Sequence, residues 1–142
     1  MFGLFATEWV SGVVRRHQRH EKARDDDVDE IIATIDAVRT LADEYWSTSP
    51  SELGARESIL DGRIVGGLHH INLLIAGLFT GPAKRECDVA AFRFSDASAS
   101  GDFGDPDRQA EPARLSSVHS AALTLKHLVR TQRRKLKYKT LA

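Results

Sequence analysis

"GRIVGGLHHINLLIAGLF", Gly62 to Phe79, is the stretch whose reading decides the fold. Around it Leu53, Leu60, Ile64, Leu68, Ile71, Ile75 and Leu78 recur at intervals of three, four or seven, the spacing of one helix face. The uninterrupted apolar section starts at Ile64 and lasts about sixteen residues. At ~1.5 Å per residue it falls short of the ~30 Å hydrocarbon core of a bilayer. His69, His70 and Asn72 near its centre would make insertion costlier still. The segment therefore reads as the central helix of a soluble bundle, running from about Glu52 to Phe79. Gly62, Gly66 and Gly67 leave room for a neighbouring helix to come close.

The flanks extend this reading. Upstream, in "DDDVDEIIATIDAVRTLADEYW" (25–46), Val28, Ile31 or Ile32, Ile35, Val38, Ala42 and Tyr45 mark one apolar helical face. The leading aspartates suit the positive end of a helix dipole. Pro50 stops this helix and Ser51 is placed to cap the next. Downstream, Gly81 and Pro82 close the central helix, and a shorter helix covers Lys84 to about Ala97. "SASGDFGDPDRQAEP" (98–112) is a long loop rich in turn residues. The last helix starts near Pro112, with Leu115, Val118, Ala122, Leu125 and Val129 as its seam and a basic end expected to fray. The expected fold is all-α: an antiparallel bundle of three long helices plus one short helix.

The formal net charge of zero hides a strong segregation. From Arg15 to Arg24 there are five bases and one acid; from Asp25 to Asp61, eleven acids and two bases; from Pro112 to Ala142, eight bases and no acid. Such blocks direct docking within a chain or onto a partner. The opening "MFGLFATEWVSGVV" sets Phe2, Phe5, Trp9 and Val13 on a helical stripe, followed at once by "RRHQRH". A secretory signal has its charges before the apolar run, not after it. A short amphipathic anchor has this layout. Residues 1–24 are thus expected to be an amphipathic segment with a basic flank, and 25–142 a helical bundle with a basic tail. Phe2, Phe5, Trp9, Arg15, Arg16 and Arg19 are the candidate membrane contacts. A single cysteine, Cys87, precludes an internal disulfide and suits a reducing, cytoplasmic setting.

Catalytic and metal chemistry is sparsely signalled. No Glu-x-x-His pair of the di-iron kind occurs, and the adjacent His69 and His70 point about 100° apart on a helix. One of the two reads as a core or interface histidine, and Arg63 and His70 read as partners of the acidic segment. No metal or other cofactor is expected. "GDFG" (101–104) lacks the remaining parts of a kinase, and Asp102, Asp105 and Asp107 lack calcium-loop spacing. An arginine with a histidine some five residues on is the pattern of helical HEPN ribonucleases, in which arginine holds a phosphate and histidine moves a proton. Arg114 with His119 is the best-placed match, beside Arg15 with His20 and Arg63 with His69 and His70.

The basic run at the end is the strongest surface signal. Lys126, Arg130, Arg133, Arg134, Lys135, Lys137 and Lys139 can meet anionic lipid or nucleic-acid phosphates. Alternatively, part of the run docks on the acidic helix between Asp25 and Glu44. Tyr138 is the one aromatic among these bases, which does not indicate a base-stacking platform.

Ser100-Gly101-Asp102-Phe103, Arg108 and Pro112-Ala113-Arg114 carry a resemblance. The last third of the chain resembles small bacterial helical proteins in which a Thr-Gly-Gly-Asp-Phe-Glu-like loop precedes an Arg-rich terminal helix. Ala99 and Ser100 depart from the usual Thr-Gly, and Gly104 replaces the acidic residue. The resemblance implies a membrane-anchored relative and no particular reaction. Taken with the charge layout, it leads to an expected non-enzymatic interaction protein, peripheral at the cytoplasmic membrane face. An RNA-binding or RNA-cleaving bundle and a soluble homodimeric adaptor are the alternatives. The expected partner is an anionic membrane surface or another protein.

Overall fold

The computed structural model describes residues 3–141, with side chains from 10 to 139. Helix α1 runs unbroken from Gly3–Ser47; a single turn, α2, covers Pro50–Leu53; α3 spans Arg56–Leu78, α4 Gly81–Ala99 and α5 Leu115–Leu141. A 3-10 turn, Pro112–Arg114, leads into α5. No strand occurs among the described residues. The all-α bundle expected from the sequence is the observed architecture, with α4 as the shortest of the four packed helices.

The four helices form a ring in which each packs on its chain neighbours and α5 closes back on α1. Cross-helix pairs give the directions. Glu44 meets Arg56 and Glu30 meets His70, so α1 and α3 are antiparallel. Asp43 meets His119 while Asp25 meets Lys137, so α5 runs against α1 as well. Inside the ring lie Val28, Ile31, Ile35, Val38, Ala42 and Tyr45 of α1 with the whole α3 seam from Leu60 to Leu78. Cys87, Ala90, Ala91 and Phe94 of α4 and Val118, Ala122, Leu125 and Val129 of α5 complete it. At α1 the choice left open by periodicity falls on Ile31, which is fully buried, while Ile32 is half-buried.

Four local expectations are corrected. The central helix begins at Arg56, not Glu52: Gly54 separates it from α2, leaving half-buried Leu53 in the preceding turn. Ser51 caps nothing; its hydroxyl pairs with that of Ser49 at 3.1 Å. Gly81 and Pro82 open α4 instead of closing α3, because proline is favoured in a first turn, where its missing N–H costs nothing. The basic end of α5 stays helical to Leu141.

Of the central glycines only Gly67 marks a close approach. A Cβ at Gly67 would collide with Cγ2 of Val38, whereas Gly62 and Gly66 face open space.

Candidate functional site

The loop between α4 and α5 folds over one end of the bundle through aromatic and guanidinium contacts. Tyr45 and Trp46 end the core face of α1 and are both fully buried. Phe103 packs on them, its ring 4.8 Å from Tyr45 and 6.3 Å from Trp46. The Tyr45 hydroxyl accepts from the Gly104 amide at 2.8 Å, and Trp46 Nε1 donates to the Ser98 carbonyl at 2.9 Å. Burial is the main cause that raises the Tyr45 pKa above its ordinary value. Arg108 reaches in from the loop with a fully buried side chain and grips Glu57 of α3 through two hydrogen bonds, 3.0 and 2.8 Å. Burial is the largest influence and disfavours its charge, but Glu57 and Tyr45 together outweigh it and raise its pKa. Its Nη1 is buried without a hydrogen-bond partner. Arg114 lies 3.9 Å over the Trp46 ring and donates to the Ser100 carbonyl at 2.8 Å. Gly101, at φ 62°, lies against this guanidinium; an added Cβ would sit 2.9 Å from Arg114 Nη2, on a backbone that L residues rarely adopt. The residues carrying the sequence resemblance thus converge on one structural cap. Phe103 pins the loop, the Asp105 carboxylate accepts from the Asp107 amide at 2.8 Å, and the Ser100 hydroxyl donates to the Asp96 carbonyl.

The acidic and basic blocks meet along the seam between α1 and α5. Lys126 pairs with Asp36 at 2.8 Å, and Lys137 with Asp25 at 2.7 Å. Arg133, 5% exposed, donates through Nε to Asp25 at 3.1 Å and through Nη2 to the Glu21 carboxylate. The Lys137 hydrogen bond, opposed by desolvation and helped by Arg133, holds the Asp25 carboxyl below its ordinary range. Of the seven bases considered for an anionic partner, Lys126, Arg133 and Lys137 are therefore turned onto α1. Arg130, Arg134, Lys135 and Lys139 face solvent.

Past Glu21 towards its start, α1 leaves the bundle. Val10, Val13 and Val14 are 54%, 47% and 47% exposed, and Arg15, Arg16 and Arg19 are exposed as well. Phe2 lies outside the described residues, as do the side chains of Phe5 and Trp9. No helix among the described residues is long and apolar enough to cross a membrane.

Arg114 and His119 engage different partners. While Arg114 is held by Trp46 and Ser100, His119 Nε2 lies 2.7 Å from Asp43 Oδ1. A pocket of about 220 Å³ beside His119 is lined by Arg39, Ala122, Leu123 and Lys126. Sequence reasoning missed Arg39 and Asp43, which stand four residues apart on one side of α1. His70 bridges to Glu30 at 2.9 Å, as an interface histidine would, while His69 and Arg63 are exposed. Among the described residues no group of three potential ligands is placed to hold a metal ion.

No family model, curated protein or solved structure matches the chain.

Proposed function

We propose that this protein is a non-enzymatic helical interaction protein that works peripherally at an anionic membrane surface, with the projecting part of α1 as its contact. The observation that carries the reading is the exposure of Val10, Val13 and Val14 next to Arg15, Arg16 and Arg19, on helix that the bundle leaves uncovered. Apolar side chains can enter the headgroup boundary while the arginines meet anionic lipid. The positive-inside rule assigns such a basic flank to the cytoplasmic face. The test is flotation with phosphatidylcholine vesicles, with and without phosphatidylserine, at low and high salt. Binding to anionic vesicles that weakens with salt and is lost in Val10→Ser/Val13→Ser/Val14→Ser is the expected result. Absence of flotation even at low salt rejects it; a concentration-dependent doubling of mass would then favour the homodimeric adaptor.

A second reading, cleavage of RNA, draws on the hydrogen bond between His119 and Asp43. A histidine held by a carboxylate can move a proton, and Arg39 and Lys126 beside it can hold a phosphodiester. Incubation with labelled RNA decides it: cleavage abolished by His119→Ala supports the reading, and cleavage indifferent to that change removes it.

A further inference from the structure

Arg130, Arg133, Arg134 and Lys137 occupy positions i, i+3, i+4 and i+7 of α5, one side of a helix. Together with Asp25 and Val28 of α1 they line a pocket of about 300 Å³. Four cations thus meet two carboxylates, Asp25 in the pocket and Glu21 on Arg133, and both are already engaged. Asp25 Oδ1 accepts from Arg133 Nε and Oδ2 from Lys137 Nζ, which fixes both cations in place. The other two are unclaimed by acids. Among the described residues Arg130 makes no ion pair, and Arg134 has only a 3.5 Å hydrogen bond to the Thr131 hydroxyl of its own helix.

We infer that this pocket binds a phosphomonoester group. Its excess of positive charge is larger than a carboxylate can neutralise, whereas a phosphomonoester brings a charge of about −1.5 to −2 and three acceptor oxygens. Guanidinium forks match those oxygens bidentately, and two such forks are unused. Val28 supplies an apolar wall for whatever carries the phosphate. The pocket also lies next to where α1 leaves the bundle, and the exposed Lys22, Arg19, Arg16 and Arg15 continue the positive field along that helix. A lipid headgroup with a terminal phosphate and a soluble phosphomonoester share the chemistry. The lipid source rests on the membrane reading; the pocket does not.

The test uses the full chain and two probes. Inorganic phosphate is titrated while the arginine side-chain Nε–H resonances are followed by NMR. In parallel, flotation compares phosphatidylcholine vesicles doped with phosphatidic acid against phosphatidylserine vesicles of matched surface charge. Phosphate should shift the Arg130 and Arg134 resonances, and the protein should prefer phosphatidic acid. Each of R130Q and R134Q should weaken phosphate binding by about tenfold, the scale of one hydrogen bond to a charged group. The double variant should lose the phosphatidic acid preference while still floating with phosphatidylserine. Val10→Ser/Val13→Ser/Val14→Ser should lose flotation and keep the phosphate response. Phosphate binding at these arginines without flotation on any vesicle supports the pocket, with a soluble ligand, and rejects the membrane reading. Equal partition onto both lipids with the arginine shifts present supports the pocket with a soluble ligand and rejects the lipid headgroup. Absence of the arginine shifts overturns the pocket even if the protein binds membranes.

Discussion

The guanidinium carbon of Arg108 lies 3.8 Å from the centre of the Tyr45 ring, and its Nε–Nη2 edge is clamped by Glu57. The three residues come from the loop after α4, α1 and α3, so this contact ties the loop to two separate helices. Arginine suits the place because its flat, weakly hydrated cation stacks on an aromatic face while its edge donates to a carboxylate. Lysine offers neither the plane nor the fork.

Arg108→Ala should therefore cost about 3–5 kcal/mol, because it leaves the Glu57 carboxylate, only 19% exposed, without its buried partner. Urea unfolding followed by circular dichroism measures this. Arg108→Lys should recover only part of the loss, and a recovery to the wild-type midpoint would contradict the stacked, bidentate account. Tyr45→Phe removes only the bond from the Gly104 amide and should cost about 1 kcal/mol.

A second prediction concerns the glycines of α3. Gly67→Ala should destabilise by about 1–3 kcal/mol, since the new methyl meets Val38 in a packed interface. Gly62→Ala and Gly66→Ala face open space and should stabilise, by up to about 1 kcal/mol, through helix propensity alone. Thermal midpoints of the three variants separate the cases. Similar shifts for all three would mean that α1 and α3 are not in close contact at Gly67.

The core was legible because periodicity and burial are the same information: every apolar seam residue from Leu60 to Leu78 is buried. The charged seam was legible as a pattern, but not residue by residue. Arg133 follows Val129 by four positions and so takes a core-like place on α5, which is why it is buried while its neighbour Arg134 is exposed. Arg108 gave no such signal. It sits in a loop with no period, and its burial depends on partners 51 and 63 positions away in sequence, a long-range outcome that local spacing does not encode. Arg114 and His119, five apart in sequence, are held by different partners. Arg114 ends the 3-10 turn and lies over Trp46, while His119 on α5 pairs with Asp43, and local spacing encodes neither contact.

Cys87 should be chemically silent in the folded protein. Burial, helped by the charges of Asp88 and Glu86, pushes its thiol pKa up to about 12, so almost no thiolate exists at neutral pH. Labelling by a thiol reagent across a urea series should follow the loss of helical signal with the same midpoint. Fast labelling without denaturant would show that α4 opens independently of the ring.

The last prediction concerns acid and the seam between α1 and α5. Asp25 has its pKa lowered in the folded state, chiefly by the hydrogen bond from Lys137 and against the cost of burial. A lowered folded pKa means that the contribution is full above the ordinary value of 3.8 and disappears as pH falls through the lower folded value. Neutral and mildly acidic solutions should therefore leave the seam intact, and acidification below that value should loosen it. Loosening should begin in the last turns of α5, where Lys137 loses its partner, while Val118 to Val129 stay protected by the core. Hydrogen exchange at matched intrinsic rates, read by mass spectrometry on α5 peptides, resolves the two regions. Asp25→Asn should weaken protection of the last turns at neutral pH and flatten their acid response. An acid response as steep in Asp25→Asn as in the wild type would assign it to another carboxylate, with Glu21, the second partner of Arg133, next to test.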